Sequence, residues 1–298
     1  MSGSRASLNA MLERRLEGRA LDWYGERQAE VADGVDDERF ASGISRASRF
    51  APRGRLAPDA EERAEAARAL PGWNPERWTV LEAVRVGLVL ARPDLDEQGV
   101  VLALEEVLRF ADEGEQCAMY RSLAHLPRGE RFVRRASEGC RTNILPVFES
   151  VACDTPYPAR HFGDLAWNQM VVKALFIGAP LWRVHGVDER LSAELARMTL
   201  DLADERRSAH RPVQQELWMC LGTHGGARAL AALERELAGS NTLGRRAAAL
   251  GLARAGEVER LRELFARERD PALAATMRAA LEGGHGQEAF AALDERSA

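Results

Sequence analysis

The stretch Leu230-Ala231-Ala232-Leu233-Glu234-Arg235-Glu236-Leu237-Ala238-Gly239 decides the fold class of this chain. Leucines at 230, 233 and 237 share one side of a 3.6-residue helix, and Gly239 ends it. The pattern then recurs. Leu243, Ala247 and Leu250 precede Gly256; Val258, Leu261 and Leu264 precede Asp270-Pro271; Leu273, Met277 and Leu281 precede Gly283. Short amphipathic helices with tight turns are what an α-solenoid of helix pairs requires, each pair burying its apolar side on the next. β-branched runs are scarce, and no hairpin dipeptide sits between alternating strands, so the predicted class is all-α.

Upstream, the same signals predict helices over 4–31, 58–70, 75–91, 96–110, 113–124, 129–152, 162–179, 191–209 and 212–223. Asn74-Pro75-Glu76 reads as an N-cap followed by a first-turn proline. The Ser-, Gly- and Arg-rich stretch 33–57 reads as a loop. A change of texture near residue 224 divides the chain into a helical domain, 1–223, and an extension, 224–298. That extension resembles HEAT-type repeats, with a plain helical bundle as the alternative arrangement.

Composition narrows the function. The 298 residues are 46% hydrophobic and 29% charged, which is ordinary for a globular chain. A net charge of −5 argues against a nucleic-acid or anionic-membrane surface. Arg131, Arg134 and Arg135 lie between Glu130 and Glu138 and read as a solvated helix face. The four cysteines form no C-x-x-C pair, and the first twenty residues lack an apolar core. With no run of about 18 apolar residues, the expectation is a reduced, cytoplasmic protein that does not insert into membranes. No H-E-x-x-H, G-x-S-x-G, phosphate-binding or dinucleotide-binding glycine motif is present, so no metal or cofactor is expected. Asp36-Asp37 lacks the further carboxylate of the Mg²⁺ motif of helical terpene synthases.

One residue stands apart. All but one of the 41 basic residues are arginine; the exception is Lys173, in Trp167-Asn168-Gln169-Met170-Val171-Val172-Lys173-Ala174-Leu175-Phe176. Asn, Ile and Tyr are also rare, yet Asn143, Ile144, Tyr157, Asn168 and Ile177 cluster with it between positions 143 and 177. Arginine cannot replace lysine where a compact donor or a neutral amine is needed. Trp167, Met170, Val171, Ala174 and Leu175 form one apolar stripe, whereas Gln169 and Lys173 share another with Phe162, Leu165 and Phe176. The expected site is a partly buried Lys173 that binds a polar ligand with Asn168, Gln169, Asn143, Arg141 and Tyr157. Alternatively, Lys173 works as an amine with Glu149 or Asp201 as acid/base partner, or forms a structural ion pair with one of them. Pro146 is expected to kink a helix and free backbone groups near Arg141 and Asn143. Thr155-Pro156-Tyr157-Pro158 is expected to be an extended turn. Asp201 and Glu205, spaced i, i+4, read as partners of nearby arginines rather than as a metal site.

The block Gly114–Trp218 resembles the EboA family. The resemblance is carried by Glu138-Gly139-Cys140-Arg141-Thr142-Asn143, Val147-Phe148-Glu149, Thr155-Pro156-Tyr157-Pro158 and above all by the Trp167–Phe176 string. Thr155 departs from the Asn that the family more often shows before Pro-Tyr-Pro. EboA proteins are encoded in the ebo gene cluster beside a UbiA-type prenyltransferase, a TatD-like hydrolase and sugar-phosphate isomerase-like or cyclitol-synthase-like enzymes. The resemblance therefore implies an accessory protein of a metabolite pathway. Its partner would be a small polar or prenylated intermediate or another protein of the cluster, with an enzyme or a pure scaffold as alternatives.

Overall fold

The computed structural model describes residues 2–294, and all of the regular structure there is helical apart from one isolated bridge between Arg55 and Thr79. The chain forms two compact units, 1–162 and 163–298. The first contains α1 (Ser2–Glu13), α2 (Arg19–Ala32), α3 (Asp37–Arg46), α4 (Ala60–Ala69) and α5 (Val80–Ala91). It continues with α6 (Gln98–Phe110), α7 (Glu113–Ser122), α8 (Val133–Gly139), α9 (Leu145–Ala152) and α10 (Tyr157–His161). The second contains α11 (Asp164–Ile177), α12 (Ala193–Ser208), α13 (Gly226–Leu237), α14 (Thr242–Arg254), α15 (Val258–Phe265) and α16 (Pro271–Leu281).

In the first unit α5 is the centre, buried along its whole length against α1, α2 and α7. Its mostly apolar sequence, Val-Leu-Glu-Ala-Val-Arg-Val-Gly-Leu-Val-Leu-Ala, suits that place, but Glu82 and Arg85 must then be paired. They pair with the same neighbour in opposite senses. Glu82 Oε1 accepts from Arg121 Nε of α7 at 3.2 Å, and Arg85 Nη2 donates to Glu115 Oε1 of α7 at 3.3 Å. Each carboxylate also closes a capping box, Glu82 with Thr79 and Glu115 with Asp112. One side chain thus starts a helix and ties it to the next.

In the second unit α14 is central, packed by α13, α15, α16 and a 3₁₀ run, Gln215–Cys220. Ala247, Ala248, Gly251 and Leu252 are small or slim residues that let these neighbours approach. The helices read from the leucine periodicity after residue 224 are all present.

The upstream reading needs corrections. The predicted helix 4–31 breaks at Gly18, whose φ of +49° favours glycine. The predicted loop 33–57 contains α3, started by Asp36, whose side chain accepts from Arg39 N at 2.8 Å, and anchored by buried Phe40 and Ile44. No single kinked helix spans 129–152. α8 ends at Gly139, the chain turns through Arg141–Ile144, and Pro146 starts α9. Proline in a first turn sacrifices no hydrogen bond, which is why it initiates here rather than kinks. Likewise Pro158 lies in the first turn of α10, so Thr155-Pro156-Tyr157-Pro158 leads into a short helix instead of an extended turn. Residues 212–223 form 3₁₀ turns, not an α-helix.

Candidate functional site

Gly163 and Gly178 bound α11, the latter in the left-handed conformation at φ +74° that commonly ends a helix. The helix is apolar on both sides. Trp167, Met170, Val171, Ala174 and Leu175 are buried, yet the opposite side carries Leu165 and Phe176, 71% and 53% exposed. Between them lie exposed Gln169 and half-buried Val172 and Lys173. A spacing of three and four residues puts Leu165, Gln169, Lys173 and Phe176 on one ridge. Lys173 Nζ lies 5.5 Å from the Phe176 ring centroid, a cation–π contact that holds the ammonium against the apolar surface. At the N-terminal end Arg190 covers the Trp167 ring at 4.6 Å and donates to Asp164 Oδ1 at 3.0 Å.

The other residues expected at the site are distributed differently. Asn168 turns to the buried side beside Trp167; five residues from Lys173, it lies roughly 140° around the helix. Arg141 and Asn143 are exposed in the turn after α8, and Glu149 is half-buried on α9. These three and Tyr157 belong to the first unit, whereas Asn168, Gln169, Lys173 and Asp201 belong to the second. Asp201 is exposed, with its two oxygens taken by Arg197 at 2.6 Å and Arg228 at 2.8 Å, and Arg228 also reaches Asp204 at 2.7 Å. This is a surface ion network between α12 and α13, the arginine pairing expected for this helix.

Tyr157 is buried, and its hydroxyl donates to the Gly129 carbonyl at 2.7 Å. Burial raises its pKa above the usual phenol value. The hydroxyl ties α10 to the turn before α8. Tyr157→Phe is therefore expected to cost about 1–3 kcal/mol by leaving a buried carbonyl without its donor. Urea unfolding of the two proteins at neutral pH measures this, and equal midpoints would contradict the structural role.

Comparison with known families settles the relationship. The profile described as metabolite traffic protein EboA matches residues 5–222, nearly three quarters of the chain. The chain belongs to the EboA family. No curated protein and no solved structure matches it. The EboA region includes the first unit from residue 5 onward and α11, α12 and the 3₁₀ run of the second. Lys173 and the exposed ridge fall inside it.

Two features of this EboA protein escaped the sequence reading. One is that the stripe shared by Leu165, Gln169, Lys173 and Phe176 faces outward; the signal was a helix with apolar residues on both sides. The other is how residues beyond the EboA region hold the segment after α11. Trp182 Nε1 donates to Asp294 Oδ2 at 3.1 Å, and Gln287 Nε2 donates to the carbonyls of Trp182 and Val184 at 2.8 and 2.6 Å. Asp188 accepts from Arg254 Nη2 at 2.6 Å and from Gln287 N at 3.0 Å. From within the EboA region, Glu216 accepts from the backbone N–H groups of Leu181 and Trp182, at 3.1 and 3.0 Å. Such long-range pairs leave no local pattern to read. Among the described residues no group of three His, Cys, Asp or Glu side chains is placed to hold a metal. No described helix is long and apolar enough to cross a membrane.

Proposed function

We propose that the chain is a cytoplasmic accessory protein of metabolite traffic that docks on a partner protein through the outward face of α11. The observation that carries this reading is Lys173 on a ridge with two large exposed apolar residues, Leu165 and Phe176. Large apolar side chains left in water along one side of a helix favour a protein contact. Gln169 and Lys173 give this side of α11 a polar centre between its two apolar ends, and the Lys173 ammonium also rests on the Phe176 ring. The family description supplies the physiological setting. Acid/base chemistry with Asp201 is disfavoured, because its carboxylate is taken up by Arg197 and Arg228. Cytoplasmic placement is supported by four buried cysteines, none of them in a disulfide among the described residues.

A HEAT-like arrangement of the C-terminal helices is part of the proposal. The pairs α13/α14 and α15/α16 follow one another, and α14 packs on both α13 and α16. Such stacked pairs would serve as a rigid mount for α11 and the segment that follows it.

The test compares Lys173→Met and Leu165→Asp with the unaltered protein in cells of the native host that lack it. Leu165 is 71% exposed, so Leu165→Asp is expected to shift stability by no more than about 0.5 kcal/mol. Delivery of the pathway metabolite is expected to fall by about tenfold or more, the effect of losing a central interface residue. A photo-crosslinking residue at position 165 is expected to trap one defined protein, and one at exposed Leu102 is not. Full metabolite delivery by both variants would refute the docking reading.

A further inference from the structure

The cluster Arg131, Arg134, Arg135 is more than a solvated helix face. With α6, α7 and the 3₁₀ turn Gly129–Phe132, these arginines surround a cavity of about 190 Å³ inside the first unit. Its floor is apolar: Val101, Leu104, Met119 and Phe132 are all buried. Its rim carries three arginines and the Glu105 carboxylate, and is partly preset. Arg131 donates to the carbonyls of Leu95, Pro127 and Glu97, which fixes its guanidinium. Arg135 is held from two sides, by Glu138 at 3.0 Å and Glu105 at 3.8 Å, but its Nε is buried and has no protein acceptor. Arg134 is 80% exposed and only loosely met by Glu138 at 3.7 Å, so it is able to swing toward a ligand.

We infer that this cavity is a binding site for a small amphipathic anion, one with a compact apolar body and a carboxylate or phosphate head. Three guanidiniums face two carboxylates, which leaves one positive charge for the ligand to neutralise. An anionic head gives Arg135 Nε the acceptor it lacks and offers Arg134 a charge-assisted partner. The apolar floor excludes a fully hydrated anion such as free phosphate, since covering it without filling it gains nothing. Size sets the body. A cavity of about 150 Å³ takes a benzene ring, so this one admits a single ring or a branched chain of five or six carbons. The inference goes beyond the docking proposal and supplies a class of cargo for it. Binding to the purified protein involves no partner, so the two readings fail separately.

The experiment titrates the whole purified protein with cyclohexylacetate, isopentyl phosphate and the neutral cyclohexylacetamide, followed by ligand-observed NMR and calorimetry. At least one anion is expected to bind with a Kd of roughly 0.1–1 mM, the range for ligands of about ten heavy atoms. The amide is expected to bind about tenfold more weakly. Arg134→Gln, at an exposed position, should weaken the anion about threefold or more and leave the amide unchanged. Val101→Phe should fill the cavity and abolish binding of all three. Absence of binding by both anions overturns the inference, and so does equal affinity for acid and amide. Binding that Arg134→Gln leaves untouched also counts against it. If Val101→Phe fails to fold, the Arg134 comparison decides alone.

Discussion

Arg85→Met is expected to lower the unfolding free energy by about 3–5 kcal/mol, the range for breaking a buried ion pair by removing one partner. The Arg85 side chain is 2% exposed and that of Glu115 10%. Two groups depend on the guanidinium, the Glu115 carboxylate and the Ile44 carbonyl, which accepts from Nε at 3.1 Å. Methionine fills much of the same volume but satisfies neither, so Glu115 becomes a buried charge without compensation. The damage spreads because Glu115 also caps α7 and because the second bridge, Glu82 with Arg121, spans the same two helices. Removing both charges in Arg85→Met with Glu115→Met is expected to recover a large part of the loss, as buried pairs replaced by apolar residues often do. Urea unfolding of wild type, both single variants and the double variant gives the coupling directly. Additive effects would show that the pair does not behave as a unit.

Acidification is expected to destabilise the first unit through His125. Burial between Trp73 and Trp78 pushes its pKa down to about 3, against an ordinary value of 6.5. Between these two values the unfolded chain holds a proton that the folded one refuses, and stability therefore falls as pH falls through 6.5 toward 3. The limiting slope is about 1.4 kcal/mol per pH unit, roughly 3–6 °C in melting temperature for a unit of this size. Across the whole window the loss approaches about 5 kcal/mol. His125→Phe keeps the ring between the tryptophans and has no nitrogen to protonate. It is expected to flatten the melting profile between about pH 6 and 4 and, by removing two nitrogens without protein partners, to be no less stable at pH 7. Fluorescence of Trp73 and Trp78 follows the transition at its source. Parallel pH profiles for the two proteins would eliminate His125 as the acid-sensitive element.

What was legible in the sequence followed physical range. Periodicity and capping act over four residues, so the helices after residue 224 and the all-α class could be read from leucine spacing. Pro146 and Pro158 were misread because proline is compatible with both a break and a start, and only the neighbouring packing decides which. Helix α3 was missed because serine, glycine and arginine mask the i, i+4 pair Phe40 and Ile44 that anchors it. At the site, composition pointed to Lys173, and helical spacing placed Gln169, Leu165 and Phe176 beside it. Spacing alone did not say that this side faces water. Rarity in composition singled out Asn143 and Tyr157 and carries no geometry, so their places in the turn after α8 and at the start of α10 could not be read from it.

The bonds from Asp294, Gln287 and Arg254 to the segment after α11 bear on how such proteins change over time. Sequence similarity stops at residue 222, yet the Trp182 indole, the 182 and 184 carbonyls and the Asp188 carboxylate all find their partners beyond it. The portion shared with the family is therefore not a self-sufficient module within the second unit. Exchange or loss of the C-terminal helices would hand those groups to water or to new partners. Inheritance and folding draw their lines at different places in this chain.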